Sequence, residues 1–134
     1  MNRSERERAA LAAVSWTPTI ARILLGLVLA WFGYHELVRP SLWTGYVPVL
    51  SPTSSLATVA VLAHGWVLLV LAVALIGGIA PRVAAAVAAV LLLEIVVSLT
   101  ISGGLSDLTL RDVGVLGLAV ILTGANQGRL VLTR

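Results

Sequence analysis

Four runs of apolar residues, each long enough to cross a lipid bilayer, constrain the fold of this chain more than any other feature. They occupy residues 20–38, 56–80, 83–101 and 108–125. A spanning α-helix needs roughly 17 to 25 such residues, whereas a spanning strand has about 9 to 11 and alternates apolar with polar side chains. Hydrophobic residues make up 59% of the 134 positions and charged residues only 11%. We therefore predict an all-α fold, a bundle of four transmembrane helices.

Short connections containing residues that cap or break helices separate the runs, which indicates one membrane domain over residues 1–134. Proline in the first helical turn and hydroxyl side chains at the N-cap are typical of helix starts. The connection at 39–55 holds three prolines and is predicted to lie on the outer side as a partly ordered lid. Residues 1–17 are predicted to be a cytoplasmic or interfacial segment, a short helix anchored by Trp16 and separate from the first span. The boundary signals are Thr17-Pro18, 51–55, 80–82 and 102–107.

The arginines predict the orientation of the bundle. Cytoplasmic connections carry an excess of Lys and Arg, and an N-in, C-in arrangement places six arginines inside and two outside. The chain is thus expected to be a multi-pass membrane protein with both termini in the cytoplasm. Its net charge of +3 is explained by contact with anionic lipid head groups, and nothing suggests nucleic acid. The inner set is Arg3, Arg6, Arg8, Arg82, Arg129 and Arg134, and the outer set is Arg39 and Arg111. Arg22 is expected to extend to the inner head groups.

Two ionisable residues lie well inside the predicted spans. At a rise of ~1.5 Å per residue, His64 and Glu94 are each roughly 9 to 13 Å from the outer ends of their helices, so they are expected to face each other. Ser98 and Ser102 follow Glu94 at intervals of four and continue a polar stripe along one helix face. A charge at mid-helix costs on the order of 2.5 to 3.5 kcal/mol on insertion scales, so such residues suggest function.

Further polar and aromatic residues cluster near the outer ends of the helices. They predict a polar vestibule that opens outward, with His64 and Glu94 at its floor and the lid above. The residues near its mouth are His35, Glu36, Trp43, Tyr46, Arg111 and Asp112.

Each of these residues also has a purely structural interpretation. Glu94 and His64 could form a hydrogen-bonded clasp between the second and third helices. His35 and Glu36 could be interfacial residues that reach water, and Arg111 and Asp112 a local ion pair at the start of the fourth helix. Trp43 and Tyr46 could be anchors at the membrane interface.

The sequence limits the cofactors that the chain could bind. It has no cysteine, which excludes thiol chemistry, iron–sulfur ligation and a thiolate-bound metal. No established metal-ligand spacing is present. Haem held by His35 and His64 is disfavoured because the two imidazoles differ in depth by roughly 5 to 9 Å at the helical rise. Small residues on one side of the first helix (Gly26, Gly33) and of the fourth (Gly114, Gly117) predict close helix approach.

The pattern of the chain resembles the DoxX family of small prokaryotic membrane proteins. The resemblance runs from Arg22 to Leu132 and includes "LLGLVLAWFGYHELVRPSLWTGYV", "LVLAVALIGGIAPRVAA" and "LRDVGVLGLAVILTGANQGRLVL". It departs from the family where many relatives carry lysine at the positions of His35 or Glu36. The family is linked to a membrane subunit of a thiosulfate:quinone oxidoreductase and to complexes that handle oxidative stress. Membership would therefore imply a redox-associated subunit that contacts quinone in a prokaryotic cytoplasmic membrane.

Three functions are compatible with these observations. A quinone-interacting subunit of a membrane oxidoreductase would receive electrons from a partner, because the chain shows no autonomous catalytic motif. A non-catalytic scaffold or assembly subunit would use its helix faces to dock a partner protein or further copies of itself. A proton-coupled carrier of a small solute would use the intramembrane carboxylate.

Overall fold

The protein is a bundle of four α-helices; a longer connection joins the first two, and short turns join the others. The computed structural model describes residues 1–125 and 127–133; Arg134, one of the arginines assigned to the inner side, lies outside the described residues. Among the described residues, the only strand-like pairing is a single bridge between Ile79 and Thr133. The all-α prediction is thus confirmed. The helices are α1 (Arg3–Val38), α2 (Ser55–Gly77), α3 (Pro81–Gly103) and α4 (Asp107–Gly124), and two 3₁₀ turns (Pro40–Leu42 and Thr44–Tyr46) follow α1.

Three of these helices have the length and composition of membrane spans. Helix α1 has 36 residues, and α2 and α3 have 23 each, and all three contain long apolar stretches. Helix α4 has 18 residues, and Asp107, Arg111 and Asp112 fall within its first two turns. Its apolar part is therefore shorter than that of the other three.

The starts of α2, α3 and α4 follow the signals in the sequence. The Ser54 hydroxyl accepts a hydrogen bond from the Ala57 amide at 3.1 Å, and Ser106 accepts one from the Thr109 amide at 3.3 Å. Pro81 is the first residue of α3. Helix α2 ends at Gly77, before the predicted boundary at residue 80, because Gly78 adopts the left-handed conformation (φ 72°) that typically ends a helix.

The predicted boundary of α1 at Thr17-Pro18 is wrong. The helix begins at Arg3 and runs through Pro18 without a break. A capping box stabilises this start. The Glu5 amide donates to the Asn2 side chain at 2.9 Å, and the Asn2 amide donates to the Glu5 carboxylate. Residues 3–13 are mainly Ala, Arg and Glu, which are strong helix formers, and the Thr17 hydroxyl bonds the Ala13 carbonyl beside the proline.

Helices α1 and α2 form a tight antiparallel hairpin through their glycines. A Cβ on Gly33 would lie 2.7 Å from the Gly65 carbonyl oxygen, and one on Gly26 would lie 3.1 Å from the Ala72 carbonyl oxygen. Both contacts set one register, in which residue 38 lies level with residue 60. The end of α1 therefore lies roughly 7 to 8 Å deeper in the bundle than the start of α2, at ~1.5 Å per residue.

Helices α3 and α4 form the second hairpin, and leucines and alanines fill the space between the two hairpins. The predicted role of Gly114 and Gly117 as close-approach positions is wrong. Among the described residues, a Cβ on either glycine would meet no atom within 4 Å. These two glycines lie away from the helix contacts because α4 packs through residues such as Ala119 and Leu122.

The segment after α4 closes the end of the bundle where α2 finishes and α3 begins, which we call the Arg22 end. Arg22 is 2% exposed, so the expectation that it reaches the head groups is wrong. Its guanidinium donates to the carbonyls of Arg129 and Leu130 at 3.3 and 3.0 Å. The Thr19 hydroxyl exchanges hydrogen bonds with the Arg129 backbone, and the Leu132 amide donates to the Gly78 carbonyl.

Candidate functional site

A cavity of about 320 Å³ lies between the two hairpins at the opposite end of the bundle, which we call the Glu36 end. Its volume is at the lower limit of the ~300 to 1,000 Å³ range of small-molecule pockets. The floor consists of Leu29, Leu68 and Leu92, and most of the wall is also apolar. Its ionisable and hydroxyl side chains are Glu36, Tyr46, His64, Glu94, Ser98, Arg111 and Asp112.

A hydrogen bond between Glu36 of α1 and His64 of α2 lies at the centre of the cavity's polar side chains. The distance from Nδ1 of His64 to Oε2 of Glu36 is 2.8 Å, and the two side chains are 21% and 7% exposed, respectively. When the Glu36 carboxylate is ionised it can only accept hydrogen bonds, and Nδ1 of His64 is then the donor. This bond fixes the imidazole ring and directs Nε2 away from Glu36.

Nε2 of His64 faces Glu94 of α3. The distance from Nε2 to Oε2 of Glu94 is 3.9 Å, which is close enough for an ion pair and too long for a hydrogen bond. Nε2 is buried and has no hydrogen-bond partner among the described residues. Nε2 is therefore the atom of the pair whose hydrogen-bonding capacity the described residues do not use. Ser98 donates to Oε1 of Glu94 at 3.3 Å and is itself buried, so the Glu94–Ser98 part of the predicted stripe is present.

Glu36, and not its neighbour His35, enters the cavity. Successive residues on a helix point about 100° apart, so only one of the two can share the inner face with Leu29 and Phe32. His35 does not line the cavity: its ring lies 4.2 Å from that of Trp31, and its Nδ1 is 2.9 Å from the Trp31 carbonyl oxygen. The prediction that His35 lies at the rim of the site is wrong.

Glu36 also lies deeper than the rim position predicted for it, with an exposure of 5%. The prediction assumed that the ends of α1 and α2 are level with the membrane surface. The register set by Gly33 and Gly65 moves the end of α1 inward, which brings Glu36 close to the level of His64.

Helix α4 contributes an ion pair to the upper wall of the cavity. Nε of Arg111 donates to Oδ1 of Asp112 at 2.9 Å; Asp112 is buried, whereas the Arg111 side chain is 49% exposed. The Arg111 guanidinium also lies 4.9 Å from the centre of the Phe32 ring, a cation–π distance. This contact ties the first turns of α4 to α1 across the cavity, and sequence reasoning did not identify Phe32.

The connection between α1 and α2 covers the cavity from above. Trp43 and Tyr46 line it, and the Trp43 ring meets the edge of Phe32 at 6.0 Å. Thr44 between them is 4% exposed and bonds the Ser41 carbonyl. The two 3₁₀ turns contact α2 and α3, so the predicted lid is present as ordered structure.

The structure thus brings together eight of the nine residues predicted for the site, all except His35. Ser102 is exposed and lies outside the lining. In the described part of the chain, no three His, Asp or Glu side chains are arranged to hold a metal ion. Glu36 and Glu94 face different nitrogens of one imidazole, so the three groups do not converge on a common point.

No family model, curated protein or solved structure matches this chain. A functional proposal therefore rests on the site, the membrane-type helices and the sequence resemblance.

Proposed function

We propose that this chain is a DoxX-like, multi-pass protein of a prokaryotic cytoplasmic membrane that binds a quinone and serves as a subunit of a redox complex. One observation carries the proposal. The Glu36–His64 pair, whose second imidazole nitrogen is buried without a hydrogen-bond partner among the described residues, lines an apolar cavity within membrane-type helices.

A quinone head group matches the chemistry of this cavity. It is a flat, largely apolar ring with carbonyl oxygens that accept hydrogen bonds, and Nε2 of His64 can donate one when the imidazole is protonated. The carboxylate of Glu36 would stabilise the cationic imidazole at 2.8 Å. The apolar floor and walls would hold the ring and the start of its tail.

Quinone reduction requires two electrons and two protons for each quinol formed. This chain would contribute the protons through His64 and Glu94, with Ser98 bonded to Glu94. The electrons would come from a partner subunit that carries a redox centre. In this proposal the chain binds the quinone and supplies protons, while the partner provides the oxidoreductase activity.

The proposed membrane arrangement has four spans with both termini inside. Helix α4 would cross with its charged first turns at the outer surface, where Arg111 and Asp112 pair with each other. The larger number of arginines on the inner connections supports this orientation. Helix α1, at 36 residues, is roughly 54 Å long at ~1.5 Å per residue, so its N-terminal part would extend beyond a hydrocarbon core of ~30 Å.

The experiment is binding of a short-tailed quinone analogue to the purified protein in detergent, followed by the quenching of tryptophan fluorescence. His64→Ala should weaken binding by roughly 1 to 3 kcal/mol, because a polar ligand atom then lacks its partner. Glu94→Gln should retain most of the affinity, because the amide still fills the space and forms hydrogen bonds.

His35→Ala is the matched control, since His35 is a histidine near the same end of the bundle that does not line the cavity. It should bind like the wild type. Equal affinity in all four proteins, or binding by none, would refute the proposal and favour a scaffold whose polar residues only lock the helices together.

A further inference from the structure

Glu94 occupies an unusual position on α3, at the boundary between the cavity and the outer surface of the bundle. Its side chain is 54% exposed although it lines the cavity. Around the helix axis, Val90 and Val97 lie on one side of Glu94; they are 67% and 47% exposed and face outward. On the other side, Leu91 and Ser98 face the cavity. Glu94 therefore marks a place where the cavity meets the surface of the bundle.

This place lies far from either end of the helix. Glu94 is nine residues from the last residue of α3, Gly103, which is roughly 13 Å at ~1.5 Å per residue. Such a depth lies inside the hydrocarbon core of a bilayer about 30 Å thick. The surface around Glu94 would thus face lipid tails.

The end of the cavity nearest to water is covered. The connection that holds Trp43 and Tyr46 lies across the ends of α2 and α3, and Thr44 within it is 4% exposed. Helix α2 lies across from Glu94 at the same depth and contributes Ala60 and His64 to the cavity lining. Val67, one helical turn after His64, is 42% exposed on the surface of the bundle. The gap beside Glu94 is therefore bordered by α2 and α3.

The geometry points to a side opening between α2 and α3 through which the cavity is filled directly from the bilayer. This inference rests on the proposed function and specifies its ligand: a quinone with a long apolar tail, of which only the head enters the cavity. The cavity volume of about 320 Å³ accommodates a head group and no long tail. Glu94 would lie where the polar head passes, which accounts for a half-exposed carboxylate amid valines.

A photolabelling experiment on the wild-type protein in phosphatidylcholine nanodiscs tests this inference. The probe is a benzoquinone with a ten-carbon tail that carries a diazirine near the ring, and the competitor is the same quinone without the diazirine. After illumination, mass spectrometry locates the labelled residues. We expect the label that the competitor removes to fall on the outward faces beside Glu94, at Val67, Val90 and Val97.

The possible results separate the two proposals. If the competitor removes no label anywhere, the quinone function fails and the side opening fails with it. If the removable label falls on the Trp43–Tyr46 connection or on the outer face of α4, quinone binding stands and the side opening is refuted.

A matched pair of variants provides a second measurement. Val97→Trp places a bulky ring beside the opening, and Val113→Trp places the same ring at a residue of similar exposure on α4, 45% against 47%. Val97→Trp should slow quinone association from the bilayer several-fold, and Val113→Trp should leave it unchanged. Wild-type rates in both variants would overturn the side opening.

Discussion

The Glu36–His64 bond should be measurable as a coupling energy between two buried groups. The perturbation is a double-mutant cycle with Glu36→Leu, His64→Leu and the combined variant. Either single change leaves the other polar group without its partner in an apolar wall. The combined change replaces both groups with apolar side chains, which is often nearly neutral for a buried pair.

The structure sets the expected magnitude. Polar pairs in membrane proteins contribute about 0.6 kcal/mol on average and reach about 1.7 kcal/mol. The Glu36–His64 bond is short, at 2.8 Å, and Glu36 is almost fully buried, so it should lie near the upper limit. We expect the double variant to be more stable than the sum of the single losses by about 1 to 2 kcal/mol.

The assay is reversible unfolding in mixed micelles by titration with a denaturing detergent, followed by helical circular dichroism. The matched control is the corresponding cycle for His64 and Glu94. Their atoms are 3.9 Å apart and Glu94 is 54% exposed, so their coupling should be below about 0.5 kcal/mol. A Glu36–His64 coupling no larger than that of the control pair would refute this account of the site.

The other predictions concern the framework of the bundle. Gly78→Ala should lower stability by at least about 1 kcal/mol, because the residue is left-handed at φ 72° and the new Cβ would collide with the Leu130 carbonyl; thermal unfolding in detergent measures this. Gly33→Ala should destabilise the α1–α2 hairpin by about 1 to 3 kcal/mol through overpacking, whereas Gly114→Ala, with open space around it, should be neutral or stabilise α4 by up to about 1 kcal/mol. Cysteines introduced at Ser4 and Thr133 into this cysteine-free chain should resist a membrane-impermeant thiol reagent in intact cells; labelling of either would contradict the proposed orientation.

The sequence predicts the helices well where hydrophobicity and helix caps agree. Both signals mark the start of α2, and the structure places it within one residue of the predicted boundary. They conflict in α1, where Pro18 suggests a start but the capping box at Asn2 and the helix-forming residues after it favour an earlier one. A single proline weakens a helix locally, whereas ten good helix formers act together, so the longer helix is favoured.

The members of the site could be predicted, but their pairing could not. The similar depth of His64 and Glu94 in the bundle follows from counting residues from the outer ends of α2 and α3, because these two ends lie at a similar depth. Glu36 cannot be placed in this way because the depth of the end of α1 depends on the contact between Gly33 and Gly65. That contact is a property of two helices together, and only the presence of glycine in both hints at it.

The burial of Arg22 and its hydrogen-bond partners could not be predicted from the sequence either. An arginine one turn inside an apolar run normally extends to the head groups. Here the chain after α4 returns to the bundle, and its carbonyl groups accept the guanidinium hydrogens. Nothing in the local sequence around Arg22 indicates that a segment more than 100 residues away would provide these acceptors.

The position of the cavity follows from where small and large residues lie along α3. Toward the Arg22 end, α3 buries Ala84, Ala85 and Ala88, and α4 buries Ala119, so the two hairpins approach closely there. Toward the Glu36 end, α3 presents Leu91, Leu92, Ile95 and Leu99, whose bulk keeps the hairpins apart while the glycines hold α1 against α2. The space left between the hairpins contains the polar groups of the site, and the opposite end is closed by the segment bonded to Arg22. Because the cavity does not continue to the Arg22 end, it provides no passage through the bundle. This favours the proposed binding of a membrane-dissolved molecule over a path that carries a solute across the membrane.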